Sequence, residues 1–457
     1  MSWAPAAEIA QSVAKRESRA CDRVEAALAR IAEINPKLNA FSAVIADRAR
    51  RRAKEMDSQG ASGPLVGVPF AVKNLFDVAG LPTLAGSRIN RAHGAAEHDA
   101  VLVARMEAAG AILLGTLTMG EYAYDFTGEN SHYGPTRNPH DTARMAGGSS
   151  SGSAAAVAGG LVPLALSSDT NGSIRVPASF CGIFGLKPTY GRLSRTGTFP
   201  FVASLDHLGP HARTVADLAL AYDAMQGPDP HDPVCANRAV EPTVPLLQRG
   251  GSGLRIAIAA GYFRSNAAPE AIGAVTSVAR ALGVNREVDL PAVAEARSAA
   301  FLITTSEGGS LHLGRLREQA EQFDPDVRDR LIAGALLPAS LWVRAQKFRR
   351  CYRDAVARVF EDLDAIIALA TPFPAPLIGQ KTMLLDGVEQ PLRPNIGIYT
   401  QPISFIGLPV VAAPVQTTGP LPIGVQVIAA PWREDVALRI AAQLEADGVA
   451  KAPRPNL

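Results

Sequence analysis

Residues 146–160 read AGGSSSGSAAAVAGG, an uncharged run of small residues that continues without a break into LVPLALSSD, residues 161–169. Glycine and serine in this density allow a flexible linker. The continuation argues against one, because LVPLAL is core material and a linker would not feed straight into it. A phosphate cradle would use the same backbone, but the Gly-Lys-Ser or Gly-Lys-Thr that completes such a loop occurs nowhere in the chain. GSSSG, residues 148–152, also fits the G-x-S-x-G nucleophile elbow with Ser150 as nucleophile. An elbow needs a strand directly before it, and RNPHDTARMA, residues 137–146, is polar and interrupted by Pro139, so no strand is expected there.

The segment downstream sharpens the reading. In SSDTNGSIRVPASFCGIFGLKPT, residues 167–189, Gly172 and Ser173 sit between a core strand and a turn, flanked by Asp169 and Arg175. That charged pair can tie the loop into one shape. Backbone N–H groups from Thr170, Asn171, Gly172 and Ser173 can then converge on a developing oxyanion. Asn171 and Gly172 suit the unusual backbone angles such a nest requires.

Three separated motifs now stand in order: GVPFAVKN with Lys73, GGSSSGS with Ser149, and DTNGSIR with Ser173. Together with the closing PIGVQVI they resemble the amidase signature family over nearly the whole chain. The resemblance implies that Ser173 is the nucleophile, Ser149 a bridging serine on a cis peptide bond and Lys73 the base. It also implies that Gly147, Gly148, Asp169 and Arg175 shape and support the loops. No cofactor and no metal are expected. Asn171, Asn74 and Ser151 depart from the residues most frequent in the family, and none of these departures removes a reactive group.

The chemistry is coherent from the residues upward. A serine hydroxyl is a weak nucleophile at neutral pH and needs a base in hydrogen-bond contact. A free lysine has a pKa of about 10.4, so acting near pH 7 requires a fall of roughly three units, which burial supplies. VPFAVKNLF places Lys73 among apolar neighbours, and a serine hydroxyl between it and the nucleophile can both accept and donate a proton.

Apolar runs alternating with helical ones, such as AVLVARMEAAG then AILLGTL, predict an α/β fold, a large mixed β-sheet covered by helices on both faces. CDRVEAALARIAEI spaces Val24, Ala27, Leu28, Ile31 and Ile34 for a helix, so residues 1–60 read as an N-terminal helical arm before an α/β domain over 61–457. Residues 226–253, dense in proline and glycine, mark a possible lobe boundary. The 45 basic and 43 acidic side chains leave a net charge of +2, too little to gather nucleic acid or an acidic membrane. With no signal-like start and no spanning apolar run, a cytoplasmic protein is expected.

Several loops, among them ENSHYGPTRNPHD and TQPISFIGLPVVAAP, resemble family members that act on carboxylated ureas. That likeness implies deamination of 1-carboxybiuret to 1,3-dicarboxyurea with release of ammonia. It also implies a small helical companion subunit, in a homodimer or heterotetramer. A carboxylated substrate needs a cationic partner. The helix RAQKFRRCYRD offers Arg344, Lys347, Arg349, Arg350 and Arg353, of which Arg350 is the candidate, with Arg137 and Arg88 in the loops; His132 lies nearest to the expected site. The alternatives are a glutaminase subunit of a tRNA-dependent amidotransferase, a general amidase, and a catalytically silent scaffold for a companion protein.

Overall fold

Alternation along the strands organises the molecule. In the strand Pro69–Lys73, Phe70 and Val72 enter one hydrophobic core while Ala71 enters another, and Leu164, Leu166 and Ala165 divide the same way in the strand Leu164–Asp169. Successive strand residues point to opposite faces, so two separate cores mean a sheet buried on both sides. The structure, a computed structural model, describes residues 3–60, 62–417 and 419–457.

Eleven strands form this sheet: β1 (Phe41–Val44), β2 (Pro69–Lys73), β3 (Ile112–Leu117), β4 (Leu164–Asp169), β5 (Phe184–Lys187), β6 (His207–Ala212), β7 (Ile256–Ala259), β8 (Glu287–Val288), β9 (Ala365–Leu369), β10 (Val410–Val415) and β11 (Ile423–Ala429). Their order across the sheet is β1-β3-β2-β4-β6-β5-β10-β11-β9-β7-β8. The run β3-β2-β4 is parallel, as is β9-β7-β8, and antiparallel pairs join them, which gives the expected mixed α/β sheet. Helices Ala20–Leu38, Ala46–Gln59 and Ser151–Ala158 fill the core on one face, and Val215–Met225, Pro269–Ala281 and Glu434–Ala446 contribute to the core on the other.

The small-residue run is ordered, and smallness is what the fold uses. Every residue of the helix Ser151–Ala158 is buried. A Cβ on Gly152 would come within 2.4 Å of the Ala40 carbonyl and 2.5 Å of the Thr118 nitrogen, so this helix can press onto the sheet only with glycine there. The polar segment before it departs from the sequence reading. Asp141–Met145 is a strand, paired with Arg137–Asn138 in a two-stranded ladder outside the main sheet, where exposed polar residues are tolerated.

The N-terminal sixty residues are also more than an arm. Phe41–Val44 pairs antiparallel with β3 and forms one edge of the sheet, while the helix before it buries Val24, Leu28, Ile31 and Ile34. Residues 226–253 form an irregular connection with one short 3₁₀ segment, Val244–Arg249, and the strand after it rejoins the same sheet beside β9. Among the described residues no helix is long and apolar enough to cross a membrane.

Candidate active site

Lys73 is the last residue of β2 and Asp169 the last of β4, so both stand at the carboxyl ends of neighbouring parallel strands. Open α/β sheets place ligands at such ends. Lys73 is fully buried, and its Nζ lies 2.7 Å from Ser149 Oγ, 2.9 Å from Ser168 Oγ and 3.0 Å from Ser150 Oγ. Burial pushes its amine down to about 7, against the opposing pull of Asp169, Asp206 and Asp125. Near neutral pH a large share of the amine is therefore uncharged, with one lone pair to offer. Ser150 donates its own hydroxyl proton to the Ser168 carbonyl at 3.0 Å. The lone pair can then take a proton from Ser149 or Ser168, and Ser149 is the nearer. The peptide bond between Gly148 and Ser149 is cis.

Asp169 accepts from Arg175 Nε and Nη2, each at 3.0 Å, and both side chains are wholly buried. Burial alone would raise the Asp169 carboxyl, but the Arg175 guanidinium outweighs it and holds the group well below the usual carboxylate range. Asp169 also accepts the Ile174 N–H at 3.1 Å, and Arg175 reaches the Thr400 carbonyl and Gln426 Oε1. The loop between them is fixed at both ends.

Gly172 has φ +145°, and a Cβ there would lie 2.2 Å from Thr400 Oγ1, so only glycine fits. Asn171, expected to share the unusual backbone, keeps a negative φ; its side chain instead donates to Thr304 Oγ1 at 2.9 Å. The Thr170 hydroxyl donates to Asp206 at 2.6 Å. The N–H groups of Thr170, Asn171, Gly172 and Ser173 donate to no acceptor among the described residues, which leaves all four free for an oxyanion. Ser173 Oγ likewise has no hydrogen-bond partner among the described residues, Ser149 included, and it faces a cavity of about 760 Å³. Catalytic hydrogen bonds are often open without substrate and close in the complex.

The Amidase family pattern matches residues 22–438, which take in all three motifs and the whole of this site. The chain belongs to the amidase family. It is 54% identical to AtzE, a component of the 1-carboxybiuret hydrolase of Pseudomonas sp. (strain ADP), over 97% of this chain and 98% of that protein. It is 37% identical to a glutamyl-tRNA(Gln) amidotransferase component of Azotobacter vinelandii, over 96% of each. Among solved structures it superposes with a TM-score of 0.97 on an inhibitor-bound s-triazine catabolic enzyme from a vestigial protein complex, at 53% identity, covering 98% of this chain and 100% of that one. This amidase is an amide C–N hydrolase with the mixed-sheet α/β fold of its relatives.

The cations that reach the amidase cavity are not those singled out from sequence. Arg350 is exposed: the inward stripe of its helix, Ala339–Val359, runs through Ala345, Tyr352 and Val356, and Arg350 lies off it. Arg349 turns in instead and donates to the Phe405 and Ser204 carbonyls. Arg137 is exposed and donates to the Thr142 carbonyl in its own hairpin, while Arg88 binds the carbonyls of Glu321 and Gln322. None of these lines the cavity. His132 bonds Glu121 at 2.9 Å, whose other oxygen takes the Asp324 N–H, a structural linkage.

Among the described residues the cavity cations are Arg297, Arg330 and Arg393, on the helices Val293–Gln319, Pro325–Ala335 and Leu392–Asn395. Arg393 lies 3.5 Å from Asp125 and 3.0 Å from Asp326, so its charge is matched within the protein. Arg330 lies 3.9 Å from the centroid of the Tyr124 ring and donates to the Asp326 and Tyr124 carbonyls. Sequence carried no signal for these three, because arginines recur on many helices of the chain, Ala20–Leu38, Ala46–Gln59 and Glu434–Ala446 among them.

Proposed function

We propose that the protein releases ammonia from 1-carboxybiuret, with Ser173 as nucleophile, Ser149 as proton carrier and Lys73 as base. Ser173 Oγ attacks the terminal amide carbon while its proton passes to Ser149 and the proton of Ser149 passes to Lys73. The N–H groups of Thr170, Asn171, Gly172 and Ser173 take the oxyanion. The C–N bond then breaks, the nitrogen recovers a proton from Lys73 through Ser149, and ammonia leaves. Water then attacks the acyl-serine, its proton passing through Ser149 to Lys73; the ester C–O bond breaks, Ser173 Oγ recovers that proton, and 1,3-dicarboxyurea leaves.

The observation that carries this reading is the buried amine of Lys73, drawn down to about 7 and 2.7 Å from Ser149. The choice of substrate is supported by the 54% identity to a 1-carboxybiuret hydrolase component. A companion protein is supported by the complex in which the solved relative was found. We assign a small helical partner here, in a homodimer or heterotetramer, and a cytoplasmic location.

The test is ammonia release from freshly generated 1-carboxybiuret, compared with biuret, allophanate and glutamine, alone and with the partner protein of that complex. Fastest turnover of 1-carboxybiuret, lost by about a thousandfold or more in Ser173→Ala, is expected. No release from 1-carboxybiuret under either condition overturns the proposal, and a preference for glutamine makes the chain a glutaminase subunit instead.

A further inference from the structure

We infer that Arg297 and Gln401 form an anion subsite in the cavity, which selects amides carrying a carboxylate at the end away from the scissile bond. The inference rests on reading this cavity as the active site. Arg297 lies near the start of the helix Val293–Gln319, and Gln401 directly follows Thr400, whose hydroxyl donates at 2.7 Å to the Asn171 carbonyl in the nucleophile loop. Both side chains line the same cavity as Ser173.

Arg297 differs from the other two cations in what it touches. Its Nε donates to Gln401 Oε1 at 3.2 Å and its Nη2 to the Pro394 carbonyl at 2.7 Å; Nη1 has no acceptor among the described residues. Both acceptors are neutral. Arg393 has its carboxylates, and Arg330 is held on two carbonyls and an aromatic face, but Arg297 pairs with no carboxylate among the described residues.

The contact also fixes the orientation of Gln401. A guanidinium has donors only, so the amide oxygen must face Arg297 and the amide nitrogen must turn away from it. That nitrogen has no acceptor among the described residues, although Gln401 is only 8% exposed. The cavity wall therefore offers a positive charge that no carboxylate among the described residues offsets and, beside it, a free N–H donor on Gln401. The Tyr262 hydroxyl, on the same wall, lies within the field of Arg297. This set fits a carboxylate, whose two oxygens take charge-assisted hydrogen bonds. A neutral amide in the same place would leave the guanidinium without a counter-charge.

Binding tests this apart from turnover. The full-length Ser173→Ala chain is titrated calorimetrically with N-carbamoylglycine and with its neutral isostere N-carbamoylglycinamide. The carboxylate is expected to bind more tightly, and Arg297→Met to cut that preference by about tenfold or more, as loss of a hydrogen bond to a charged group implies. Gln401→Leu should cut it by about threefold to tenfold. Arg297→Lys should retain part of it, which separates loss of charge from loss of fold. Equal binding of the two ligands to the parent, or a ratio unmoved within about twofold in Arg297→Met, overturns the inference. Absence of 1-carboxybiuret hydrolysis by the wild type bears on the proposed reaction and leaves this result standing.

Discussion

Replacing Lys73 with methionine should change stability by an amount that depends on pH. The folded amine titrates at about 7, against 10.5 for an unperturbed lysine. Between those values the folded chain binds fewer protons than the unfolded one, so wild-type stability rises with pH through that window and is lost as pH falls toward 7. Below 7 both states are charged, and burial then costs the wild type about 5 kcal/mol in full. Methionine has nothing to titrate. Its own cost, the unpaired hydroxyls of Ser149 and Ser168, is about 1–3 kcal/mol each and the same at every pH in the window.

The difference between the two proteins isolates the amine. Urea unfolding of both, followed by circular dichroism, should show wild type gaining about 2 kcal/mol on Lys73→Met between pH 7 and pH 9. A gap that stays constant between the two pH values, or that closes in the other direction, refutes the reasoning, because Lys73 would then be charged in the fold. The same titration should appear in catalysis: wild-type kcat/KM should rise about tenfold from pH 6 to pH 8, and Lys73→Met should lose about 10²–10⁴ of it.

Asp169→Asn leaves the buried Arg175 guanidinium without its counter-charge, and should destabilise the protein by about 3–5 kcal/mol, read from the urea midpoint. Glu445 is the opposite case from Lys73. Burial raises its carboxyl to about 7, so its stability contribution falls as pH rises from the usual carboxylate range toward 7. Glu445→Gln, which can still accept the Val215 N–H, should therefore stabilise the protein by about 2–3 kcal/mol at pH 8 and by little at pH 4, as thermal unfolding at the two pH values would show.

The groups proposed to react were legible as candidates because each lies in a short local pattern, and the fold brings Lys73 and Ser149 together. Lys73 closes an apolar strand, and Asp169 and Arg175 bracket a turn whose central glycine admits no substitute. The cavity wall was not legible. Arg297, Arg330, Arg393 and Gln401 come from separate helices brought together only by the tertiary fold. On the helix Ala339–Val359 a one-residue step past the buried stripe of Ala345 and Tyr352 decides that Arg349 turns in and Arg350 out. The N-terminal strand was missed for a related reason: four residues, Phe41–Val44, are too few to show a period and are held by pairing with β3.

The helical hairpin Val293–Gln319 and Pro325–Ala335 is inserted between β8 and β9, far in the sheet order from the strands that end in Lys73 and Asp169. The proposed proton path and much of the cavity wall, Arg297 and Arg330 included, thus come from separate stretches of the chain, which meet where Asn171 binds Thr304. Grafting a relative's hairpin onto this sheet offers a way to redirect the amidase to new amides while leaving its proton path intact.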